Sequence, residues 1–205
     1  MLIPSEQDFE QAIALWREWN GRINVISRKD EDNIFAHHIL HSLAIAQYLE
    51  LFYSVIPSEA KSILDVGCGG GFPGIPLAMV MPEAKFTLCD SIGKKVKVAQ
   101  AVADGLGLKN LECVNARAES LKGEWDWVVS RAVTSLENFY PWVKGRFRNS
   151  ILYLKGGDIN SEIAALQKKH HIPAANIRTW RIDSWLKDEY FAEKYVIEIS
   201  RSDLR

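Results

Sequence analysis

The sequence predicts an α/β fold: a mostly parallel sheet with helices on both faces, preceded by a helical appendage. Three observations predict it. From Ser62 onward, short apolar runs alternate with amphipathic stretches, and strands that alternate with helices imply a parallel sheet covered on both sides. The first of these runs ends in Gly67-Cys68-Gly69-Gly70-Gly71, a strand–turn–helix junction of the kind that brings bare backbone close to a ligand. Before Ser62 the apolar residues recur at helical spacing instead. The expected division is an appendage over residues 1–60 and a ligand-binding domain over residues 61–205.

Taken in order, Phe9, Ile13, Leu15, Trp16 and Trp19 share one helical period, and Ile34 through Leu51 shows a second. Asn20-Gly21-Arg22-Ile23-Asn24 interrupts the period and reads as a turn, and Pro57-Ser58-Glu59 closes the helical region. Ser62–Val66 is the first strand. Pro73 and Pro76 sit where the next helix begins, a position proline tolerates because the first amides of a helix have no partners. Lys85–Asp90 is a second strand, followed by a helix from about Lys94 to Leu106. Leu111–Val114, Trp127–Ser130 and Ser150–Leu154 are further strands of the parallel set. Ile177–Arg181 and Tyr195–Ile199 have only a short polar link between them, which suits neighbouring antiparallel strands and brings the sheet to seven. No internal repeat or low-complexity segment interrupts this order.

Composition narrows the class. A chain of 205 residues with 47% hydrophobic content is a globular protein of about one domain. No apolar run approaches the roughly 20 residues of a spanning helix, and Met1-Leu2-Ile3-Pro4-Ser5-Glu6 lacks the basic and apolar regions of a secretory signal. Cys68, Cys89 and Cys113 form no CxxC pair and adjoin apolar runs, as reduced thiols do. A cytoplasmic protein is expected. The formal net charge of -1 does not announce a nucleic-acid binder. Basic residues cluster at Lys94, Lys95 and Lys97, at Lys144, Arg146 and Arg148, and at Lys168, Lys169, His170 and His171. Solvated helix faces would produce the same clusters.

The glycine run admits two readings. Gly69, Gly71 and Gly74 fit GxGxxG, the dinucleotide fingerprint. Asp65, Gly67, Gly69 and Gly71 fit acid-x-G-x-G-x-G, which resembles motif I of class I S-adenosylmethionine methyltransferases. Register favours the second, because the strand ends at Val66 and the turn starts at Gly67. Asp90 closes the second strand, where a carboxylate can accept hydrogen bonds from both hydroxyls of a ribose; capping the helix after Ser91-Ile92-Gly93 is its other reading. Asn115-Ala116-Arg117-Ala118-Glu119 follows the third strand, where methyltransferases of this class contact adenine. Arg131 follows the fourth strand, at the edge of the expected reaction pocket. Beside a sulfonium it must pair with an anion, either the methionine carboxylate or an RNA phosphate, unless it forms a surface salt bridge.

Taken together, these residues resemble the RsmG (GidB) family of small-subunit rRNA guanine-N7 methyltransferases. The matching segments are Trp19-Asn20 with Ile23-Asn24, His38 to Leu43, Leu64 to Pro76, Asp90-Ser91 with Gly93-Lys94-Lys95, Arg117-Ala118-Glu119, Ser130-Arg131-Ala132 and Leu154-Lys155-Gly156. The resemblance implies a class I (Rossmann-like) methyltransferase fold, with a seven-stranded sheet and an N-terminal helical appendage. It implies methyl transfer from S-adenosylmethionine to N7 of one guanine of 16S rRNA, guanine 527 in standard numbering. It also carries the family's cofactor contacts over to Gly67, Phe72, Ala118, Glu119 and Arg131. With the residues argued above, the candidate cofactor site is Asp65, Gly67, Gly69, Gly71, Phe72, Asp90, Ser91, Ala118, Glu119 and Arg131, with Arg131 also the candidate catalytic residue. Lys94, Lys95 and Lys155 are the candidate RNA contacts. No metal is expected, since His37 and His41, four apart on a helix, lack a third ligand. A monomer acting on the small ribosomal subunit is the expectation. His41 departs from the family, which usually has Asp there.

Guanine N7 carries a free lone pair, so no general base is needed, and the protein's part is alignment and exclusion of water. N7 lies on the major-groove edge, too deep in A-form RNA for a protein to reach, which points to a loop or a splayed-out base. A class I methyltransferase acting on a small molecule or protein fits the same glycine turn. A non-catalytic nucleotide-binding module fits it less well, because of the glycine register and the missing second half-domain.

Overall fold

The computed structural model describes residues 2–53 and 61–201. Pro57-Ser58-Glu59 and the expected boundary at residue 60 lie outside them. Within the described residues, seven strands form one sheet: β1 (Ser62–Val66), β2 (Lys85–Asp90), β3 (Leu111–Asn115), β4 (Trp125–Arg131), β5 (Phe147–Gly156), β6 (Ile177–Arg181) and β7 (Lys194–Ser200). Their spatial order is β3-β2-β1-β4-β5-β7-β6. The first five strands pair in parallel, and β7 runs antiparallel to both β5 and β6. β6 and β7 are antiparallel neighbours as expected, but the link between them is neither short nor polar, since it carries Ile182, Leu186 and Phe191 into the core. Strand order reverses direction between β1 and β4, and in open α/β sheets ligands bind outside the carboxyl ends of the strands at such a point.

Period-two alternation sends side chains to two cores. Ile63, Trp127, Val129, Leu152 and Leu154 face one layer, while Leu64, Val66, Val128, Ile151 and Tyr153 face the other. Leu136, Phe139 and Val143 of α5 (Leu136–Val143) and Leu166 of α6 (Ile159–His170) cover the second face. The first face is covered by α3 (Gly74–Val80), α4 (Gly93–Gly105) and the N-terminal helices α1 (Glu10–Asn20) and α2 (His41–Tyr53). The N-terminal helices thus share a core with the sheet, through Trp16, Ile39, Leu43 and Tyr48. Among the described residues no helix is long and apolar enough to cross a membrane.

The turn expected at Asn20 to Asn24 has a definite cause. Buried Asn20 accepts from the amides of Val25 and Ile26 at 2.8 and 2.9 Å and donates to the Ile26 carbonyl at 2.9 Å, so one side chain closes the loop. The second helical stretch differs from expectation: residues Ile34–Leu40 form a π-helix, and the α-helix starts only at His41. π segments are rare and frequently mark functional sites.

Candidate active site

The site is built where β1, β2 and β4 end. A cleft of about 360 Å³ opens there, and its wall includes Gly67, Asp90, Ser91, Ile92, Lys95, Ala116, Arg117, Ala118, Glu119, Arg131, Ala132, Val133 and Trp142. That volume lies within the range of small-ligand sites.

The glycines divide by role. Gly67, Gly69 and Gly71 all have positive φ, which side-chain-bearing residues adopt reluctantly. A Cβ on Gly67 would come within 2.4 Å of Val133, and one on Gly71 within 2.3 Å of Ile75. Their missing side chains therefore make room for protein. A Cβ on Gly69 would meet nothing within 4 Å, so only this glycine presents an open face. Gly69→Val is expected to abolish S-adenosylmethionine binding in calorimetry, with circular dichroism near native and a stability loss of about 1–2 kcal/mol from the left-handed backbone. Unchanged affinity would refute the turn as cofactor cradle.

Asp90 is buried at the end of β2, its Oδ2 accepting from the Gly69 amide at 2.9 Å and its Oδ1 from the Ile92 amide at 2.8 Å. It ties the glycine turn to the start of α4, and each oxygen keeps acceptor capacity for a ribose hydroxyl. The N-cap of α4 is Ile92, so the capping alternative for Asp90 does not hold. Asp65 lies beneath the cleft, outside its wall. Its Oδ2 accepts from the Gly74 amide at 2.8 Å, bracing the start of α3, and burial pushes its carboxyl up to about 7.

The Ser130-Arg131-Ala132 segment has a separate job for each residue. Ser130 Oγ donates to the Val66 carbonyl at 2.7 Å, locking β4 to the end of β1. Ala132 adopts φ 49°, an unusual conformation for a residue other than glycine, and folds Val133 over Gly67. Arg131 reaches the cleft wall with its guanidinium 5.0 Å over the Phe72 ring, which in turn stacks on Trp16 at 4.2 Å. It donates to the His37 carbonyl at 3.3 Å and to His38 Nδ1 at 2.9 Å. Neither partner is anionic, and no carboxylate among the described residues forms an ion pair with it. Burial lowers its pKa. Its remaining donors border the cleft, where a ligand carboxylate or phosphate would meet a planar cation.

Several expected residues are not in the cleft wall. Phe72 supports Arg131 from below, Asp65 and Gly71 are packing elements, and Gly69 lies beside the wall with its amide held by Asp90. Lys95 joins the wall, and exposed Lys94 adjoins it at the start of α4. Lys155 is committed elsewhere: its Nζ lies 2.9 Å from Glu162 and donates to the Thr134 carbonyl at 3.1 Å. The basic cluster around Arg146 and Arg148 is likewise engaged locally, with Glu119, Glu124 and Asp126. Sequence reasoning missed Ile92, Val133 and Trp142 in the wall. Only the tertiary fold brings them there, and nothing in their local pattern marks them.

Among the described residues no group of three or more His, Cys, Asp or Glu could hold a metal ion. His37 and His41 do not converge: His37 meets Asp30 at 2.5 Å, while both ring nitrogens of buried His41 lack hydrogen-bond partners, edge-on to Tyr190 and Phe191. Burial, helped by Arg131, Lys194, His38 and His37 nearby, pushes the His41 pKa well down. His41 therefore stays neutral in the folded chain while the unfolded chain takes up a proton below its ordinary value, so its contribution is constant above that value and stability is lost as pH falls. His41→Leu is expected to be at least as stable as wild type at neutral pH, with a melting-temperature advantage that grows from pH 7.5 to pH 5. A constant difference between the two proteins would show that His41 is not held neutral.

The thiols carry no chemistry of this kind. Burial raises Cys68 well above its ordinary value, Cys89 to about 11 and Cys113 to about 12, leaving no nucleophilic thiolate.

A family model described as rRNA small subunit methyltransferase G (GidB) matches residues 5–180. The chain belongs to this family. The ribosomal RNA small subunit methyltransferase G of Flavobacterium psychrophilum is 43% identical over 199 residues, covering 93% of this chain and 88% of that one. The protein of the same name from Porphyromonas gingivalis is 43% identical over 200 residues, covering 93% and 85%. Among solved structures, magnesium protoporphyrin IX methyltransferase of Synechocystis with bound S-adenosylmethionine aligns with a TM-score of 0.63 at 15% identity, covering 98% of this chain and 100% of that one. The plantazolicin methyltransferase BpumL in complex with S-adenosylhomocysteine aligns at 0.62 and 13% identity, covering 95% and 96%. These two likenesses establish the S-adenosylmethionine methyltransferase fold. Of the family's expected cofactor contacts, Gly67, Ala118, Glu119 and Arg131 meet in one cleft, with Phe72 directly behind Arg131.

Proposed function

We propose that this chain transfers a methyl group from S-adenosylmethionine to N7 of a guanine in 16S rRNA, guanine 527 in standard numbering. Family membership supports the reaction class. The observation that carries the site is Arg131, a cation at the cleft wall that forms no ion pair with a carboxylate among the described residues. The residues present fit the cofactor: Gly69 has an open face, Asp90 retains acceptor capacity for the ribose, and Ala118 and Glu119 line the side expected to meet adenine. When bound, S-adenosylmethionine supplies an electrophilic methyl group on sulfur.

The protein's own part is placement. N7 needs no deprotonation, and the cleft wall accordingly contains no histidine and no ionisable thiol near neutrality. Val133, folded over Gly67 by the left-handed Ala132, together with Ile92 and Trp142 supplies apolar surface at the cleft that a bound cofactor and base would cover. Lys94, Lys95 and Arg117 border the opening, where they would meet the phosphates flanking a splayed-out base. Lys155 is a secondary contact in this reading, since binding phosphate would require it to leave Glu162. We place the enzyme in the cytoplasm as a monomer that engages the small ribosomal subunit; unpaired cysteines fit a reducing compartment.

The test is methylation of small-subunit rRNA with isotopically labelled S-adenosylmethionine, followed by nucleoside mass spectrometry. Label in 7-methylguanosine at one position is expected. Label only in a small molecule or in protein, with rRNA untouched, would replace the acceptor and leave the cofactor assignment standing.

A further inference from the structure

Asp30 and His38 lie outside the cleft wall, yet both connect to it through Arg131. Asp30 precedes the π-helix, and neighbouring His37 and His38 within it address the same carboxylate. Asp30 Oδ1 meets His37 Nδ1 at 2.5 Å and Asp30 Oδ2 meets His38 Nε2 at 2.6 Å. The opposite nitrogen of His38, Nδ1, lies 2.9 Å from the Arg131 guanidinium. His37 is further fixed by stacking on Tyr190 at 3.6 Å, and its carbonyl takes the second Arg131 hydrogen bond.

Proton bookkeeping along this chain has one consistent solution. A guanidinium only donates, so His38 Nδ1 must present its lone pair. The ring proton then sits on Nε2, where an ionised Asp30 accepts it. Burial works to raise the Asp30 pKa, but hydrogen bonds from both histidines outweigh it and lower it. Burial and the Arg131 charge together push His38 down to about 4, which keeps the imidazole neutral. Of the five guanidinium donors, two are used on His38 and the His37 carbonyl, and three remain.

We propose that Asp30 and His38 are positioning residues for methyl transfer: Asp30 fixes the tautomer of His38, and His38 aims the remaining Arg131 donors into the cleft. The N-terminal segment thereby takes part in the reaction centre through a carboxylate–imidazole–guanidinium chain, without touching the substrate. A carboxylate that orients an imidazole by holding one tautomer is an established device in hydrolases; here the imidazole acts as acceptor for a cation, and no proton moves. The inference rests on the reading of Arg131 as the cation that meets the cofactor carboxylate or the RNA phosphate.

The decisive variant is Asp30→Asn. Its amide can donate to His38 Nε2, which shifts the ring proton to Nδ1 and turns it against a guanidinium donor. Two measurements test this. Nitrogen NMR of the labelled protein without ligand is expected to show His38 protonated at Nε2 in wild type and at Nδ1 in Asp30→Asn; a wild-type ring protonated at Nδ1 would overturn the proposal. In methylation assays, Asp30→Asn is expected to lower kcat/KM at least about tenfold in wild type, but less than about twofold in an Arg131→Ala background, because two groups acting through one contact are not additive. His38→Gln, whose side-chain oxygen can still accept from Arg131, is expected to recover much of the activity that His38→Ala loses. Equal losses from Asp30→Asn in both backgrounds would assign Asp30 to general stability and overturn the proposal. A wild-type protein with the expected tautomer but no rRNA methylation would instead refute the functional reading of the site.

Discussion

Arg131→Ala is expected to reduce rRNA methylation by about 100-fold or more, roughly 2.7 kcal/mol of transition-state stabilisation, and Arg131→Lys is expected to be nearly as damaging. The guanidinium reaches His38 Nδ1, the His37 carbonyl and the cleft simultaneously, which requires a planar fork with donors on several edges. Lysine offers a single point of charge and cannot reproduce that geometry. It also forfeits the flat contact over Phe72, 5.0 Å below. The partner of the free donors is read from binding. If it is the methionine carboxylate, both variants bind S-adenosylmethionine more weakly without RNA, and this is the outcome we expect from the family position. If it is an RNA phosphate, cofactor affinity survives while RNA affinity falls and its salt dependence becomes shallower. Normal methylation by Arg131→Ala would refute both assignments.

Asp90→Ala is expected to lower S-adenosylmethionine affinity by about 100-fold or more. Hydrogen bonds to a charged group contribute about 1.5–3 kcal/mol each, and two ribose hydroxyls are at stake. The carboxylate also holds the Gly69 and Ile92 amides, so the variant should lose melting temperature as well. Asp90→Asn separates the two roles, because its amide oxygen can keep one of the amide contacts and part of the turn, but cannot accept on both sides. Calorimetry should then show most of the affinity loss with less of the stability loss. An affinity change well below tenfold in both variants would leave Asp90 as a brace between turn and helix.

Residues whose role depends on local backbone were legible in the sequence. Short apolar runs located all seven strands within a few residues, with β4 and β5 longer than expected because their ends continue to pair with each other and with β7 beyond the apolar runs. The glycine register placed the turn directly after β1, where the structure has it. Asp90 was legible as the carboxylate that closes β2, and the structure adds that it holds the Gly69 and Ile92 amides. The roles of individual glycines were not legible. Gly67, Gly69 and Gly71 have the same local reason to be glycine, a positive φ, and only the neighbours Val133 and Ile75 distinguish two of them from the open third. Phe72 and Lys155 illustrate the same limit. Their positions in the chain place them near the cleft, but packing turns one beneath Arg131 and an ion pair with Glu162 occupies the other.

By itself, then, the sequence determined the sheet, the turn, the cofactor class and the family, because apolar runs, helical patterns, glycine spacing and short motifs are all encoded within a few tens of residues. The tertiary structure alone decided what Arg131 faces. Its partners His37 and His38 lie more than ninety positions earlier in the chain, within the π-helix that stands where an α-helical turn was expected. Asp30 stood out in no motif, and its part follows from two distances to histidine rings. Hydrogen-bond direction is a property of three-dimensional neighbours: a guanidinium donates, so the imidazole must accept, and the carboxylate must hold the proton on the far side.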